Sequence, residues 1–247
     1  MSFSGAIFDV DGVLVDTPHE RSWREALREL MEGPWSGLRA QTAWTPEAFT
    51  AQVYQGVVSG KPRMSGALAA LEHFEVPDAQ ARVREYADRK QAMVVELIEA
   101  GEFTAYPDAL RFIVAVKQSG IAVAAASSSK NAGLFLRQIL LRPGQTLLDI
   151  FDADVSGRDF AQGKPHPEMF VTAAQELGQR PRECFVIEDA VAGVQAARAG
   201  GMSALGVARA DDYDLLTAAR ADVVVTTLDD IDLDALGAGR LARRGAA

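Results

Sequence analysis

From Tyr106 onward, short apolar runs alternate with segments of helical periodicity, and this alternation constrains the fold more than any other feature. It is typical of a parallel β-sheet whose strands are joined by crossover helices. Strands buried on both faces read as continuous apolar runs. We therefore predict an α/β fold with strands at residues 6–10, 121–126, 153–155, 184–187, 204–207 and 222–225, and helices at 131–141, 167–177 and 191–199.

Residues 17–104 break this alternation and predict a helical insert. Apolar side chains recur there at helical spacing, as in Trp23, Ala26, Leu27 and Leu30, and again in Val83, Tyr86, Lys90, Val94 and Leu97. Loops are predicted at residues 34–37 and 60–63, and a surface excursion at 140–148. The predicted organisation is core at 1–16, insert at 17–104, core at 105–236 and a flexible tail at 237–247.

The composition is that of an ordinary globular protein, and its charge excludes some functions. The chain has 25 basic and 34 acidic residues, a formal net charge of −9, which argues against nucleic-acid binding. Cys184 is the only cysteine, so neither an intramolecular disulfide nor a cysteine-based zinc site is expected. The sequence lacks a signal-peptide pattern and any long apolar span, so we expect a cytoplasmic chain away from membranes, monomeric or weakly dimeric.

Two carboxylates follow the first apolar run, in the segment Phe8-Asp9-Val10-Asp11-Gly12. Alternate residues of a strand share one side, so carboxylates placed there repel each other unless a cation or substrate lies between them. A metal ion with a phosphoryl group would meet that need. The alternative is a strand that ends in an ordinary acidic turn, because Asp-Gly is a common turn signal.

Three further segments, each directly after an apolar run, carry residue types that phosphoryl transfer uses: residues 127–131, 163–165 and 188–189. Each also has a simpler explanation. Ser127 can cap a helix, Lys164 can be a solvated loop lysine, and Glu188-Asp189 can be a charge pair at a helix start. Ligands of open α/β sheets bind at the carboxyl ends of strands, so we expect all four segments to form one site.

In this order, Asp9-Val10-Asp11-Gly12-Val13, Ser127, Lys164 and Glu188-Asp189 resemble the four motifs of the haloacid dehalogenase superfamily of phosphotransferases. The resemblance covers nearly the whole chain. Within the superfamily, the sequence is similar to β-phosphoglucomutases and small sugar-phosphate phosphatases. The resemblance implies a Rossmann-like parallel-sheet core with an inserted helical cap, a Mg²⁺ cofactor and a small phosphorylated sugar as substrate.

The resemblance also implies roles for four residues of the core. Asp9 would be the nucleophile that forms an aspartyl-phosphate, and Asp11 would be the general acid and base. Ser127 would donate hydrogen bonds to a phosphoryl oxygen. Lys164 would stabilise the transferring oxygens as a fixed positive charge.

The implied Mg²⁺ ligands are oxygen atoms from both ends of the chain. They are the Asp9 side chain, the backbone carbonyl of Asp11 and the Asp189 side chain, with Glu188 as a further ligand or the neighbour of one. Carbon–halogen cleavage in the same superfamily needs neither the second carboxylate nor Mg²⁺. The presence of Asp11 therefore favours phosphoryl transfer.

The expected substrate-binding residues are Thr17, His19, Arg63, Lys90, Ser129, Lys130 and Asn131. Arg63 lies in a segment similar to the cap loop whose arginine holds the distal phosphate in β-phosphoglucomutases, and arginine suits bidentate phosphate contact. Lys90 resembles the cap lysine of the same enzymes. Where relatives have a cap histidine, Arg21 stands here, and His19 is the nearest histidine. Each charge taken alone is more often simply solvated.

These observations predict a Mg²⁺-dependent phosphotransferase that acts through Asp9. Mutase and phosphatase share the phosphoenzyme and differ in whether a sugar hydroxyl or water accepts the phosphoryl group. Arg63 and Lys90 favour a β-phosphoglucomutase-like enzyme, and a sugar-phosphate phosphatase is the alternative. A non-enzymatic phospho-receiver uses similar residues, but it needs neither a long helical insert nor a second carboxylate two positions after the phospho-acceptor.

Overall fold

The computed structural model describes residues 2–58, 61, 63–210 and 212–245. The chain forms two compact units. The first, which we call the core unit, comprises Met1–Thr17 and Thr104–Ala247. The second, the helical unit, comprises Pro18–Phe103.

The secondary structure of the described residues follows the chain in this order. The strands are β1 (Gly5–Phe8), β2 (Val15–Asp16), β3 (Thr104–Ala105), β4 (Ala122–Ala125), β5 (Leu140–Arg142), β6 (Gln145–Thr146), β7 (Ala153–Asp154), β8 (Cys184–Glu188), β9 (Ser203–Val207) and β10 (Val223–Val225). The helices are α1 (His19–Glu32), α2 (Ala51–Val53), α3 (Arg63–His73), α4 (Ala79–Glu99), α5 (Pro107–Gln118), α6 (Ala132–Gln138), α7 (Glu168–Glu176), α8 (Val191–Ala199), α9 (Tyr213–Ala218) and α10 (Leu233–Gly237). Short 3₁₀ helices lie at Ser36–Gln41, Leu148–Ile150, Pro181–Glu183 and Leu228–Asp230, and a π-helix at Tyr54–Val58.

A parallel sheet forms the centre of the core unit. Among the described residues it has six strands in the order β10-β9-β8-β1-β4-β7. Every neighbouring pair in it is parallel. The prediction of an α/β fold with a parallel sheet is confirmed.

Strand β1 lies between β8 and β4, so the polar residues at the carboxyl ends of these three strands are neighbours on one edge of the sheet. Gly5 is level with Ala122 of β4 and with Cys184 of β8. All residues of β1 and β8 are buried, and all except the terminal Glu188 of β8 are small or apolar, as expected of strands covered on both faces. At Gly5 a Cβ atom would lie 2.7 Å from the Cys184 sulfur, so a larger residue there would force the buried Cys184 side chain to move. The carboxyl ends of the three strands are therefore level.

Two small antiparallel pairs accompany the main sheet. Strand β2 pairs with β3, so the segment that leaves the core unit and the segment that returns to it are adjacent. Strands β5 and β6 form a hairpin around Gly144, whose φ of +79° favours glycine. This hairpin corrects the predicted helix at residues 131–141, because α6 ends at Gln138 and the next residues turn into β5. The other predicted strands and helices of the core are present with ends shifted by a few residues at most.

The helical unit is held together by an apolar cluster of its own. Helix α4 packs against α1 and α3. The rings of Trp23 and Tyr86 meet edge to face with centroids 5.2 Å apart, and the Tyr86 hydroxyl donates to the Trp23 carbonyl at 2.8 Å. The helical periodicity predicted for this region is present. Of the predicted loop at residues 60–63, Gly60 and Pro62 lie outside the described residues, and Arg63 begins α3.

The segment predicted as a flexible tail, residues 237–247, makes backbone contacts with the core unit in its described part, which extends to Gly245. Ile231 and Arg243 form an antiparallel bridge, and the Arg244 amide donates to the Asp230 carbonyl at 2.7 Å. The Arg243 guanidinium also donates to the Tyr213 hydroxyl at 2.6 Å and packs over its ring. Backbone hydrogen bonds therefore connect residues 239–244 to residues 230–236, and the composition of the segment does not indicate them.

Within the part of the chain that the structure describes, no helix combines the length and the apolar character that a membrane crossing needs.

Candidate active site

The candidate site lies at the carboxyl edge of the central strands of the sheet. Asp9 follows β1 directly, and its amide donates to the Ile187 carbonyl of β8 at 3.0 Å. Ser127 follows β4 after one residue, and Glu188 is the last residue of β8. Asp9, Ser127 and Glu188 are all buried. Parallel strands that end level therefore gather side chains that are distant in sequence.

Lys164 lies between two of these carboxylates. It comes from the loop between β7 and α7, and its Nζ is 2.6 Å from Asp9 Oδ1 and 2.5 Å from Glu188 Oε1. Only 13% of the Lys164 side chain is exposed, so it is not a solvated loop lysine. Burial lowers the pKa of Lys164, but Asp9 and Glu188 outweigh that effect and hold it well above its usual range. Lys164 thus places its ammonium group between Asp9 and Glu188.

Three carboxylates form an acidic cluster around this position. One oxygen from each of Asp9, Glu188 and Asp189 lies within 4.8 Å of the others. Burial is the largest cause of a raised pKa at Asp9, to about 8, with Lys164 opposing it and Glu188 and Asp11 adding to it. Burial and the negative charges of Glu188 and Asp9 likewise raise the pKa of Asp189. Such crowding makes the charged forms costly without a cation.

The chemistry of this cluster fits Mg²⁺. Hard oxygen ligands are those that Mg²⁺ prefers, and a divalent cation would offset the mutual repulsion of the carboxylates. Glu188 also accepts the Asp189 and Ala190 amides at 2.9 Å through Oε2, which fixes its orientation. Asp9, Glu188 and Asp189 could therefore hold the ion. The Asp11 backbone carbonyl stays a predicted ligand.

Two glycines make room for the acidic side chains. At Gly12, whose φ is +81°, a Cβ would lie 1.9 Å from Asp189 Oδ2. At Gly193 in α8 a Cβ would lie 1.7 Å from Glu188 Oε1. Both positions therefore require glycine, because a Cβ atom would overlap the neighbouring carboxylate.

Asp11 and Ser127 form the other half of the site. The Ser127 hydroxyl donates to Asp11 Oδ2 at 3.0 Å and accepts the Ser129 amide at 3.0 Å. The Ser127 amide donates to the Ser156 hydroxyl at 3.2 Å. Ser127 is not a helix cap, since the residue at the N-cap of α6 is Asn131. The four predicted catalytic residues Asp9, Asp11, Ser127 and Lys164 thus lie in one connected arrangement, and their roles stay predictions.

Three of the predicted substrate-binding residues of the core unit, Ser129, Lys130 and Asn131, lie on the loop after β4. The Ser129 hydroxyl accepts the Asn131 amide at 3.2 Å, and Asn131 is buried. Lys130 is exposed and donates to Asp159 Oδ1 at 2.6 Å and to the Gly157 carbonyl at 2.8 Å. Thr17 is the last residue before the helical unit.

The remaining candidates lie in the helical unit. Lys90 is buried, its Nζ is 3.4 Å from His19 Nδ1, and it lies 5.0 Å from the centre of the Trp23 ring. His19 at the start of α1 and Lys90 in the middle of α4 are thus brought together. Arg63 is exposed at the start of α3. Arg89, next to Lys90, is bound to Glu29 and Glu96 on the surface of this unit.

Arg209, which contacts the turn beside Asp11 in the core unit, was not identified from the sequence. Arg209, two residues beyond β9, donates to Asp108 Oδ2 at 2.9 Å and to the carbonyls of Gly12 and Val13. Its guanidinium packs over the Tyr106 ring, 3.9 Å from the ring centre. In its own segment, two residues after an apolar strand, Arg209 resembles an ordinary surface charge, so the sequence carries no local signal for these contacts.

The fold is α/β, and the acidic cluster forms a candidate active site at the carboxyl edge of its parallel sheet. A family model described as haloacid dehalogenase-like hydrolase matches residues 3–201. The chain belongs to the haloacid dehalogenase-like hydrolases. The predicted superfamily, its Rossmann-like core and the prediction of an enzyme are confirmed.

The names of similar proteins describe two activities, that of a mutase and that of a phosphatase. The beta-phosphoglucomutase of Mycobacterium bovis is 32% identical over 249 residues, covering 91% of this chain and 90% of that protein. A fructose-1-phosphate phosphatase of Escherichia coli is 30% identical over 213 residues, covering 83% and 96%. The crystal structure of an archaeal beta-phosphoglucomutase from Pyrococcus sp. strain ST 04 matches with a TM-score of 0.73 and 33% identity, covering 94% and 96%.

Proposed function

We propose that this chain is a Mg²⁺-dependent phosphotransferase that moves the phosphoryl group of a small sugar phosphate through an aspartyl-phosphate on Asp9. One observation carries the proposal. Asp9 is held at 2.6 Å by Lys164 inside the acidic cluster, while Asp11 lies two residues further on and is held by Ser127. A nucleophile, a cation site, a fixed charge and a proton carrier are the parts that phosphoryl transfer requires.

The proposed first step forms the phosphoenzyme. An Asp9 carboxylate oxygen attacks phosphorus, the bond from phosphorus to the sugar oxygen breaks, and Asp11 gives its proton to that oxygen. Mg²⁺, when bound, neutralises charge on the carboxylate and the phosphoryl oxygens. Lys164 and the Ser127 hydroxyl stabilise the same oxygens.

The proposed second step returns Asp9 to its carboxylate form. Asp11, now ionised, removes a proton from the incoming hydroxyl group, whose oxygen attacks phosphorus as the bond to Asp9 breaks. If the hydroxyl belongs to a sugar, the chain acts as a mutase. If it belongs to water, the chain acts as a phosphatase.

We propose that the helical unit is the cap domain. We favour the mutase because this unit contains a buried lysine, Lys90, beside an aromatic ring and a histidine. Lys90 is 6% exposed, and its Nζ lies 3.4 Å from His19 Nδ1 and 5.0 Å from the centre of the Trp23 ring. Its position over Trp23 and beside His19 suits a second anionic group of a substrate. We propose that Arg63 and Lys90 bind the part of the sugar phosphate remote from the transferred group.

The phosphatase is the second candidate because Arg21 occupies the position of the relatives' cap histidine. A guanidinium stays protonated, so Arg21, which donates to Glu102 at 2.5 Å, cannot act as a neutral imidazole would. The similarity to a fructose-1-phosphate phosphatase points the same way.

A substrate panel scored for two products tests the proposal. The purified chain with Mg²⁺ is incubated with β-glucose 1-phosphate plus a glucose bisphosphate primer, and separately with fructose 1-phosphate. We expect isomerised sugar phosphate from the first mixture and slower release of inorganic phosphate from both. Phosphate release alone would replace the mutase by the phosphatase. No turnover of any phosphorylated sugar, with an Asp9→Asn control equally inactive, would contradict both.

A further inference from the structure

Arg209 donates two hydrogen bonds to the turn that follows Asp11. Its Nε donates to the Gly12 carbonyl at 3.4 Å, and its Nη2 donates to the Val13 carbonyl at 3.2 Å. These two carbonyls belong to consecutive residues directly after the proposed acid–base group. Arg209 lies 197 positions after Gly12 in the sequence.

The position of this turn determines two parts of the site. The Gly12 amide closes the turn by donating to the Val15 carbonyl at 2.8 Å. On one side the turn carries Asp11, whose carboxylate meets Ser127, and on the other side Gly12 lies against Asp189. A shift of the turn would therefore move Asp11 relative to the oxygen that it must protonate.

Arg209 is itself fixed. Its Nη1 donates to Asp108 Oδ2 at 2.9 Å, and its guanidinium stacks on the Tyr106 ring. Asp108 accepts on the same oxygen from the Leu228 amide at 2.8 Å and from the Thr227 hydroxyl at 3.2 Å. Only 14% of the Arg209 side chain is exposed. A planar guanidinium held at three of its nitrogens defines where both carbonyls lie.

We propose that Arg209 is a positioning residue for the proposed acid–base step, because it fixes the turn that sets the Asp11 carboxylate. The proposal rests on the proposed function. Arg209 contacts the backbone of the turn rather than the reacting groups, so its effect on catalysis would pass through Asp11. An alternative with no catalytic consequence is that Arg209 only stabilises the core unit.

The leaving group of the substrate distinguishes these two possibilities. A sugar alkoxide is a poor leaving group and needs the proton from Asp11, whereas p-nitrophenolate leaves without much help. The ratio kcat/KM reports every step up to departure of the leaving group. A misplaced acid should therefore lower kcat/KM for the sugar phosphate much more than for p-nitrophenyl phosphate.

The experiment compares Arg209→Gln, Arg209→Lys and the wild type on p-nitrophenyl phosphate and on the sugar phosphate that the wild type turns over best. Arg209→Lys keeps the charge beside Asp108, but a single ammonium cannot replace the planar fork that spans both carbonyls. The control is Arg198→Gln, which removes a guanidinium that donates to Asp222 and to the Met202 carbonyl near the start of β9. Thermal melting of each variant is measured in parallel.

We expect both Arg209 variants to lose roughly 10- to 100-fold in kcat/KM for the sugar phosphate, since about 1 Å of misplacement can cost on that order. For p-nitrophenyl phosphate the loss should be about threefold or less, and Arg198→Gln should not alter the ratio of the two activities. Equal losses on both substrates, or a full-activity Arg209→Lys, would overturn the positioning role. A wild type that turns over neither substrate would instead overturn the proposed function.

Discussion

Gly193→Ala provides a test of how tightly Glu188 is held. Gly193 is the third residue of α8, where alanine normally stabilises a helix by about 1 kcal/mol relative to glycine. Here the new Cβ would lie 1.7 Å from Glu188 Oε1, 2.0 Å from Cδ and 2.6 Å from Cγ. The whole Glu188 side chain must therefore move. It is 1% exposed and has no solvent into which to move freely.

The cost follows from the contacts that Glu188 would lose. Its carboxylate accepts one hydrogen bond from Lys164 and two from the backbone amides of Asp189 and Ala190. Hydrogen bonds to charged groups contribute about 1.5–3 kcal/mol each. With two of the three lost and the helix gain subtracted, we expect destabilisation of about 2–5 kcal/mol. For a chain of this size the melting temperature should fall by roughly 10 °C.

The assay is thermal melting together with turnover, and Gly237→Ala is the matched control. Gly237 ends α10, and a Cβ there meets nothing within 4 Å. Its replacement should change stability by no more than about 1 kcal/mol. Gly193→Ala should also lose activity, since Glu188 leaves the acidic cluster. A Gly193→Ala protein that melts at or above the wild-type temperature and retains full turnover would refute this reasoning.

Three further outcomes follow from the same geometry. Asp189→Ala should weaken Mg²⁺ binding, measured by calorimetric titration of the metal; unchanged affinity would remove Asp189 from the ligand set. Arg63→Ala and Lys90→Ala should depress mutase turnover more than hydrolysis of a small aryl phosphate, because binding of the remote part of the substrate closes the cap; equal effects would mean that neither residue binds that part of the substrate. Burial raises the pKa of Asp108, but hydrogen bonds from Arg209 and the 227–228 loop outweigh it and lower that pKa. Asp108→Asn should therefore be least stable relative to wild type near pH 7, and the gap in melting temperature should close as pH falls below about 4; a constant gap would contradict the assignment.

The strands and the site motifs were predictable because their signals are local. An apolar run followed at once by carboxylates identifies a buried strand and its carboxyl end, and this predicted the positions of Asp9 and Glu188. The parallel topology then brings such ends together, so the sequence also indicated that Ser127 and Lys164 belong to the same site. That Lys164 would lie between Asp9 and Glu188 depends on tertiary packing.

Other features left no local signal. The Arg209–Asp108 pair joins residues 101 positions apart, and each residue resembles an ordinary surface charge in its own segment. The hairpin of β5 and β6 was hidden by the apolar run 139–141, which suits the end of a helix as well as a strand. The pairing of the C-terminal segment depends on backbone groups, which a sequence of small residues does not reveal.

The most direct test of the central claim is the detection of the phosphoenzyme. The wild-type chain and Asp9→Asn are mixed with Mg²⁺ and a phosphoryl donor, quenched in acid within one turnover, digested and analysed by mass spectrometry. We expect a hydroxylamine-sensitive phosphoryl group on the wild-type peptide at Asp9, and none on the Asp9→Asn peptide. A phosphoryl group on another residue, or turnover by Asp9→Asn near the wild-type rate, would contradict the aspartyl-phosphate mechanism.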